Sequence, residues 1–254
     1  MKCPVNYTLS EKELNDCKEF AEQSAPTQQD IEFGQHDIRA RDVNEIARDN
    51  LIGKIAEVAF KRIVEENYPD AGEIPLDFNV YQRGVYDSQD ANINGTLIDI
   101  KATREGGEWF LIEWNKLNFR AREKHLPHYF VFFTVGWDRK TDQPTGGATF
   151  EGIIPIEWLS KEHVDQEERI LVLRRGKNIP GKDVCLQADN YGINKRHISR
   201  SLDYYMRLMV KNDKKYNTDD FKLPWQRFVK SAFENNFIRD CEHRECTEYK
   251  LIYQ

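Results

Sequence analysis

The sequence is short of several things, and each shortage removes a class of protein. No apolar run approaches the ~18 residues that a helix needs to cross a bilayer, so no membrane-spanning helix and no membrane partner is expected. The opening "MKCPVNYTLSEKELND" has no apolar stretch of the signal-peptide kind, and a cytoplasmic protein is expected. The five cysteines (Cys3, Cys17, Cys185, Cys241, Cys246) are odd in number and widely scattered, unlike a secreted disulfide framework. One local group, "CEHREC", places His243 between Cys241 and Cys246 without zinc-knuckle spacing. It reads as reduced thiols, or as a metal site needing a further ligand. Internal repeats and low-complexity linkers are also missing.

An excess of positive charge is missing too, since the formal net charge is −6. The average hides a local surplus. Residues 191–230 hold ten Lys and Arg against four Asp, a net +6 that leaves −12 for the rest of the chain. A basic segment on an acidic protein can bind phosphates because the local field governs, and solvated helix faces have the same composition.

What is present suffices for a packed core. Over 254 residues, 39% are hydrophobic, 12% aromatic and 31% charged, which fits one large domain or a domain with an appendage. Ser10 and Glu13 form a capping-box pattern ahead of "SEKELNDCKEFAEQ", and the proline of "SAPTQQ" is expected to end that first helix. From about Asp42 to Glu66, Val43, Ile46, Ala47, Ile55, Ala59 and Ile63 recur at steps of three and four, with a skip across residues 50–53. This is a long amphipathic helix, closed by Pro69 and Gly72.

The period then changes. "FNVYQRGVYD", "DANIN", "TLIDIKAT", "EWFLIEW", "YFVFFTVGW" and "ATFEGIIPI" are short β-branched and aromatic runs separated by turn residues. "YFVFFTV" is apolar throughout, as a strand covered on both faces would be. "NKLNFRAREKHLP" between the fourth and fifth runs reads as a short helix, and two more helical segments are expected at about Lys195–Lys211 and Pro224–Asn236. Residues 1–160 then make an α/β core with N-terminal helices, and residues 161–254 a helical, partly basic extension packed on it.

One strand stands out. In "TLIDIKAT" the alternation puts Ile98 and Ile100 on one face and Asp99 and Lys101 on the other. A carboxylate and an ammonium at a strand centre are costly unless paired or bound to something. An exposed i,i+2 ion pair is the plain reading. Asp90 lies across the Asn94-Gly95 turn, and Asn-Gly is the strongest short hairpin signal, so Asp90 and Asp99 can approach at the open end of the hairpin. Two close carboxylates repel, which favours a divalent cation between them. Glu57 is the one acid in the apolar stretch from Ile55 to Phe60, at the edge of the apolar arc. It is either a boundary residue or a site residue, and Gly53 one turn earlier is expected to let the helix approach the sheet.

A helix Glu, then an Asp, then Asp-X-Lys on the next strand resembles the PD-(D/E)XK nuclease superfamily, here as Glu57, Asp90 and Asp99-Ile100-Lys101. The element order over about Asp42 to Ile156 is similar to its restriction-endonuclease-like core: α-β-β-β-α-β, a mixed central sheet flanked by helices. The family's proline is absent, because Gln89 precedes Asp90, and this leaves Asp87 as a rival for the first aspartate.

The resemblance implies a Mg²⁺-dependent DNA endonuclease of the restriction or anti-invader type, with Mn²⁺ able to substitute, leaving 5′-phosphate and 3′-hydroxyl ends. It implies that Asp90 and Asp99 hold the metal with the Ile100 carbonyl, that Glu57 serves a second metal, and that Lys101 orients the attacking water. Double-stranded DNA is the implied partner, contacted through Lys195, Arg196, Arg200, Arg207 and Lys211, with Arg120, Arg122 and Lys124 as a second surface. A homodimer would suit cleavage of both strands. A repair or junction-resolving nuclease, a catalytically inactive DNA-binding module and an iron–sulfur nuclease are the competing readings.

Overall fold

The two N-terminal helices start where their capping residues put them. In a computed structural model of the chain, which describes residues 6–28, 41–82, 90–113, 127–159, 170–173, 176–181, 185–186, 190–198 and 201–211, a short strand β1 (Asn6–Thr8) leads into α1 (Glu11–Gln28). The Ser10 N–H donates to Glu13 Oε2 at 2.8 Å, and the Glu13 N–H donates back to Ser10 Oγ at 3.3 Å. Helix α2 (Val43–Asn67) repeats the device, with Asp42 and Glu45 capping each other.

Helix α1 runs on through "SAPTQ" instead of ending there, and Pro26 sits in its last turn. A proline so close to the end forfeits a single ladder bond, and the Thr27 hydroxyl donates to the Ser24 carbonyl at 2.9 Å.

The chain is a mixed α/β protein: two N-terminal helices, a five-stranded mixed sheet, a small second sheet and a short C-terminal helix. The large sheet has the order β1-β6-β5-β3-β2, built from β2 (Ala91–Ile93), β3 (Thr96–Arg104), β5 (Tyr129–Asp138) and β6 (Gln143–Pro155) besides β1. Strands β3 and β5 are parallel, and the other pairs are antiparallel. The small sheet has the order β4-β8-β7, from β4 (Trp109–Glu113), β7 (Ile170–Leu173) and β8 (Asn190–Asn194).

Helix α2 covers one face of the large sheet. Ile55, Ala59, Phe60 and Ile63 are fully buried against Ile98, Val131 and Phe133, with the Phe60 and Phe133 rings 6.4 Å apart. Each such side chain contributes about 1.5–3 kcal/mol by leaving water. The other face meets the small sheet, where Phe110 packs on Phe132 at 4.8 Å between ring centroids. Strand β5 is therefore covered on both sides, as its apolar run foretold. The last helix among the described residues, α3 (Leu202–Lys211), buries Leu202, Tyr205, Met206 and Met209 in the same core as α2.

Several expectations need correction. Residues 78–82 of "FNVYQRGVYD" form no strand. "EWFLIEW" does make β4, but in the small sheet, where it pairs with β8 some 80 residues away. The span after 160, read as helical, contributes β7 and β8. The helix expected over Lys195–Lys211 begins only at Leu202, after β8 and a single 3₁₀ turn at Lys195–His197. Gly53 admits no close approach, since a Cβ there would meet nothing within 4 Å. The helices expected at 115–127 and 224–236 lie outside the described residues.

His128 ties three strand ends together. Its N–H donates to the Leu97 carbonyl at 2.8 Å, its Nδ1 accepts the Leu97 N–H at 2.6 Å, and its carbonyl accepts the Ile156 N–H at 3.0 Å. Burial holds the imidazole neutral, with its pKa pushed down from 6.5 to about 4. A histidine depressed in the fold stabilises it fully above its unfolded pKa, and that stability is lost as pH falls from 6.5 towards 4. Urea unfolding should therefore show a loss of about 2 kcal/mol between pH 7 and pH 5 from this residue. His128→Asn, which keeps an acceptor at the same place, should remove that part of the pH dependence. An unchanged slope in the variant would show that His128 titrates normally.

Candidate functional site

The site begins with the hairpin. Asn94 and Gly95 both take positive φ, 51° and 85°, the backbone of a type I′ turn that matches the twist of paired strands. The turn sets the register Ala91↔Ile98 and Ile93↔Thr96. Strand β2 ends at Ala91, and its ladder is continued by a side chain. Asp90 Oδ2 accepts the Ile100 N–H at 2.5 Å. The N–H and carbonyl of a strand residue point the same way, so the Ile100 carbonyl is directed to the same sheet edge.

Asp99 and Lys101 share the face opposite Ile98 and Ile100, and their side chains form an ion pair. They are not a surface pair of the ordinary kind, being only 24% and 20% exposed. Burial, then the charges of Asp99 and Glu57, hold the Asp90 carboxyl well above the usual carboxylate range, against the opposing pull of Lys101 and the Ile100 N–H. Burial lowers the proton affinity of Lys101, but the charges of Asp99, Asp90 and Glu113 outweigh it, so the amine stays protonated. A permanently charged ammonium cannot act as a base. It can donate hydrogen bonds to an anionic oxygen and stabilise negative charge that develops there.

Glu57 faces the site and not solvent. It is 16% exposed and pairs with Lys54 at 2.5 Å. Lys54 is itself buried, donates to the Asp77 carbonyl at 2.7 Å, and sits over the Phe20 ring at 4.5 Å. Helix α2 thus brings one acid, already held by its own cation, within electrostatic reach of Asp90.

The donor set matches a hard divalent cation in kind, because carboxylates and a backbone carbonyl are the oxygen ligands that Mg²⁺ takes. The crowded Asp90 carboxyl is the observation that fits it, since a cation would relieve the repulsion that raises its pKa. Each acid nevertheless has its own partner here: Asp90 the Ile100 N–H, Asp99 the Lys101 ammonium, Glu57 the Lys54 ammonium. Among the described residues no three His, Cys, Asp or Glu side chains converge as metal ligands.

The basic residues expected to contact DNA are not gathered on one helix. Lys195 is drawn inward, pairing with buried Glu151 at 2.5 Å and donating to Thr134 Oγ1 at 3.0 Å. Glu151 is the extra residue of a β-bulge, lying between Phe132↔Gly152 and Phe133↔Phe150. Arg196 is exposed and lies 3.7 Å from Glu108. Arg207 pairs with Asp203 at 2.9 Å on the outer face of α3, which ends at the exposed Lys211. Arg200, Asp87, Arg120, Arg122, Lys124, Cys3 and the Cys241–Cys246 segment lie outside the described residues. Cys17 is buried, and its thiol is pushed up to about 12, which leaves it unreactive.

Two residues at the site have no motif of their own. Lys54 is detectable as a Lys three residues before Glu57 inside an apolar arc. Glu113, at the end of β4, acts on Lys101, and its buried Oε2 has no hydrogen-bond partner among the described residues. Nothing local marks Glu113, because β4 is placed by β8. Compared with known proteins, the chain matches no family model, no curated protein and no solved structure.

The electrostatics of Asp90 can be measured directly. A carboxyl whose pKa is raised in the fold contributes its full stability below the unfolded pKa, and that contribution is lost as pH rises from there through the folded pKa. Asp90→Asn keeps an acceptor for the Ile100 N–H and removes the crowded charge. Its Tm at neutral pH in chelator should exceed the wild-type value, while added Mg²⁺ or Mn²⁺ should raise the Tm of the wild type and not of the variant. A lower Tm for Asp90→Asn in chelator would mean that the buried, crowded charge of Asp90 does not destabilise the fold.

Proposed function

We propose that this protein is a divalent-metal-dependent deoxyribonuclease with a restriction-endonuclease-like core, of the restriction or anti-invader kind. The observation that carries the reading is the grouping of Asp90, Asp99, Lys101 and Glu57 at one sheet edge, with the two aspartates close enough to raise the proton affinity of Asp90. Support also comes from the sheet itself, in which the Asp-X-Lys strand lies between a hairpin edge and a parallel neighbour covered by the Glu-bearing helix.

Hydrolysis of a phosphodiester needs a positioned water, charge stabilisation at the non-bridging oxygens and a good leaving oxygen. Mg²⁺ held by Asp90, Asp99 and the Ile100 carbonyl would supply Lewis acidity at the phosphate. Lys101, freed from Asp99 when that carboxylate holds a cation, would donate to the phosphate oxygens and stabilise the hydroxide form of the attacking water. The proton of that water passes to bulk water, while the leaving 3′ oxygen takes one from it. The fixed ammonium favours the negative charge that builds as the new P–O bond forms. Lys54 would keep Glu57 oriented beside them. Cleavage of the bond to the 3′ oxygen leaves a 3′-hydroxyl and a 5′-phosphate.

A catalytically inactive DNA-binding module is the second reading. It is favoured by one observation, that Asp90, Asp99 and Glu57 each already have a partner within the chain. Plasmid DNA incubated with Mg²⁺ or Mn²⁺ separates the two. The nuclease reading expects cleavage to 5′-phosphate ends, abolished by Asp99→Ala and by Lys101→Ala, with DNA binding surviving in EDTA or Ca²⁺. Undiminished cleavage by either variant would exclude these residues as the catalytic group, and an intact plasmid under all conditions would favour the module.

Phosphate binding through the basic surface is separately testable. Reversing charge at Arg196 and Arg207 together should weaken binding and reduce the slope of log K against log salt by roughly one for each phosphate no longer neutralised. An unchanged slope would remove these residues from the interface.

A further inference from the structure

The turn that joins β3 to β4 borders a cavity of about 520 Å³ that the proposed chemistry does not use. Its floor starts at Thr103, which shares a strand face with Asp99 and Lys101. Same-face neighbours on a strand lie roughly 7 Å apart, so the cavity opens one such step along β3 from Lys101.

Its walls are flat and of mixed charge. Trp137 is nearly buried, with its indole Nε1 held by Asp142 at 2.8 Å, and the Arg104 guanidinium lies over its ring at 5.5 Å. One face of that guanidinium is thereby occupied by the indole, while Arg104 remains 42% exposed. Arg139 lies across the turn itself. A Cβ on Gly106 would come within 2.4 Å of Arg139 Nη2, which places the guanidinium against the turn, and the φ of +86° there favours glycine. Trp109 closes the cavity from the small sheet, where it pairs with Asn194 at the end of β8. The Lys195 N–H donates to the Glu108 carbonyl at 2.9 Å, which sets exposed Arg196 beside the same rim.

A phosphate is a poor fit to this cavity, because Glu105, Glu108 and Asp142 line it alongside Arg104 and Arg139 and leave no positive excess. A neutral planar ring carrying both donors and acceptors is a good one. Guanidinium and indole planes stack on any base, and carboxylates accept from exocyclic amino groups. We infer that the cavity lined by Thr103, Arg104, Trp109, Trp137 and Arg139 binds a nucleobase of the strand whose phosphate lies at Lys101. The choice of nucleic acid as ligand rests on the nuclease reading. The base enters unpaired, either from a single strand or extruded from a duplex.

The test uses the whole metal-free chain, so that no cleavage is needed. Two single strands of equal length are titrated, oligodeoxycytidylate and a fully abasic strand with the same number of phosphates, following anisotropy of a labelled end and quenching of tryptophan fluorescence. Oligodeoxycytidylate should bind about tenfold or more tightly, the magnitude of one stacked base, and should quench tryptophan where the abasic strand does not. Arg139→Ala and, separately, Trp109→Leu should bring the two affinities together while binding of the abasic strand is retained. Equal affinities for the two strands with the wild type, or discrimination unchanged in both variants, would overturn the inference. Base-dependent binding by a chain that leaves plasmid intact would uphold the pocket and count against the nuclease. Cleavage by a chain that makes no distinction between the strands would do the reverse.

Discussion

The parallel pairing of β3 with β5 is the constraint on which the remainder of the molecule rests. It runs from Ile98↔Tyr129 to Arg104↔Val135, and a shift of one residue would turn every side chain of β3 to the opposite face. Ile98 and Ile100 would then leave the core under α2, and Asp99 and Lys101 would enter it. Parallel strands cannot be set by a tight turn, because their connection must cross over. The register is instead held at its open end, where His128 exchanges two hydrogen bonds with Leu97 and a third with Ile156. A neutral buried imidazole is well suited to this, since it accepts from one backbone group without bringing a charge into the sheet.

Given that register, the charges at the sheet edge follow from geometry. Asp90 replaces a backbone partner that β2 is too short to supply. The substitution satisfies Ile100 but buries a carboxyl and sets it beside Asp99 and within reach of Glu57, and the raised proton affinity of Asp90 is the result. A purely structural edge would be served as well by a neutral acceptor. The retained charge, together with two lysines that each engage an acid, makes the edge a store of electrostatic repulsion that a cation or a polyanion could relieve. This is why a phosphodiester-cleaving role is the proposal that the site supports best.

A good deal of this is legible from local pattern. The capping boxes at Ser10 and Asp42, the Asn94-Gly95 hairpin, the alternation through Asp99 and Lys101 and the doubly covered β5 all rest on contacts within a few residues. Where the local signal is ambiguous, it misleads. The proline in "SAPTQ" signals a helix end, yet it falls in a last turn, where one missing hydrogen bond is tolerated. The basic run from Lys195 has helical spacing, whereas Lys195 is claimed by Glu151 on a bulge of β6, a partner that no periodicity could reveal.

The sequence by itself determined the helix caps, the Asn94-Gly95 turn and the strands that flank it, and it placed Asp90 opposite Asp99, because a two-residue turn leaves the hairpin no freedom of register. Only the tertiary structure decided the rest. It settled Glu57, open between boundary and site, within electrostatic reach of Asp90, buried its Lys54 partner, brought Glu113 to Lys101 by pairing β4 with β8, and set Arg104 on Trp137. The physical reason is the range over which each is specified. Turns and caps are closed by hydrogen bonds between neighbours, whereas these contacts join segments tens of residues apart whose meeting depends on how whole layers pack.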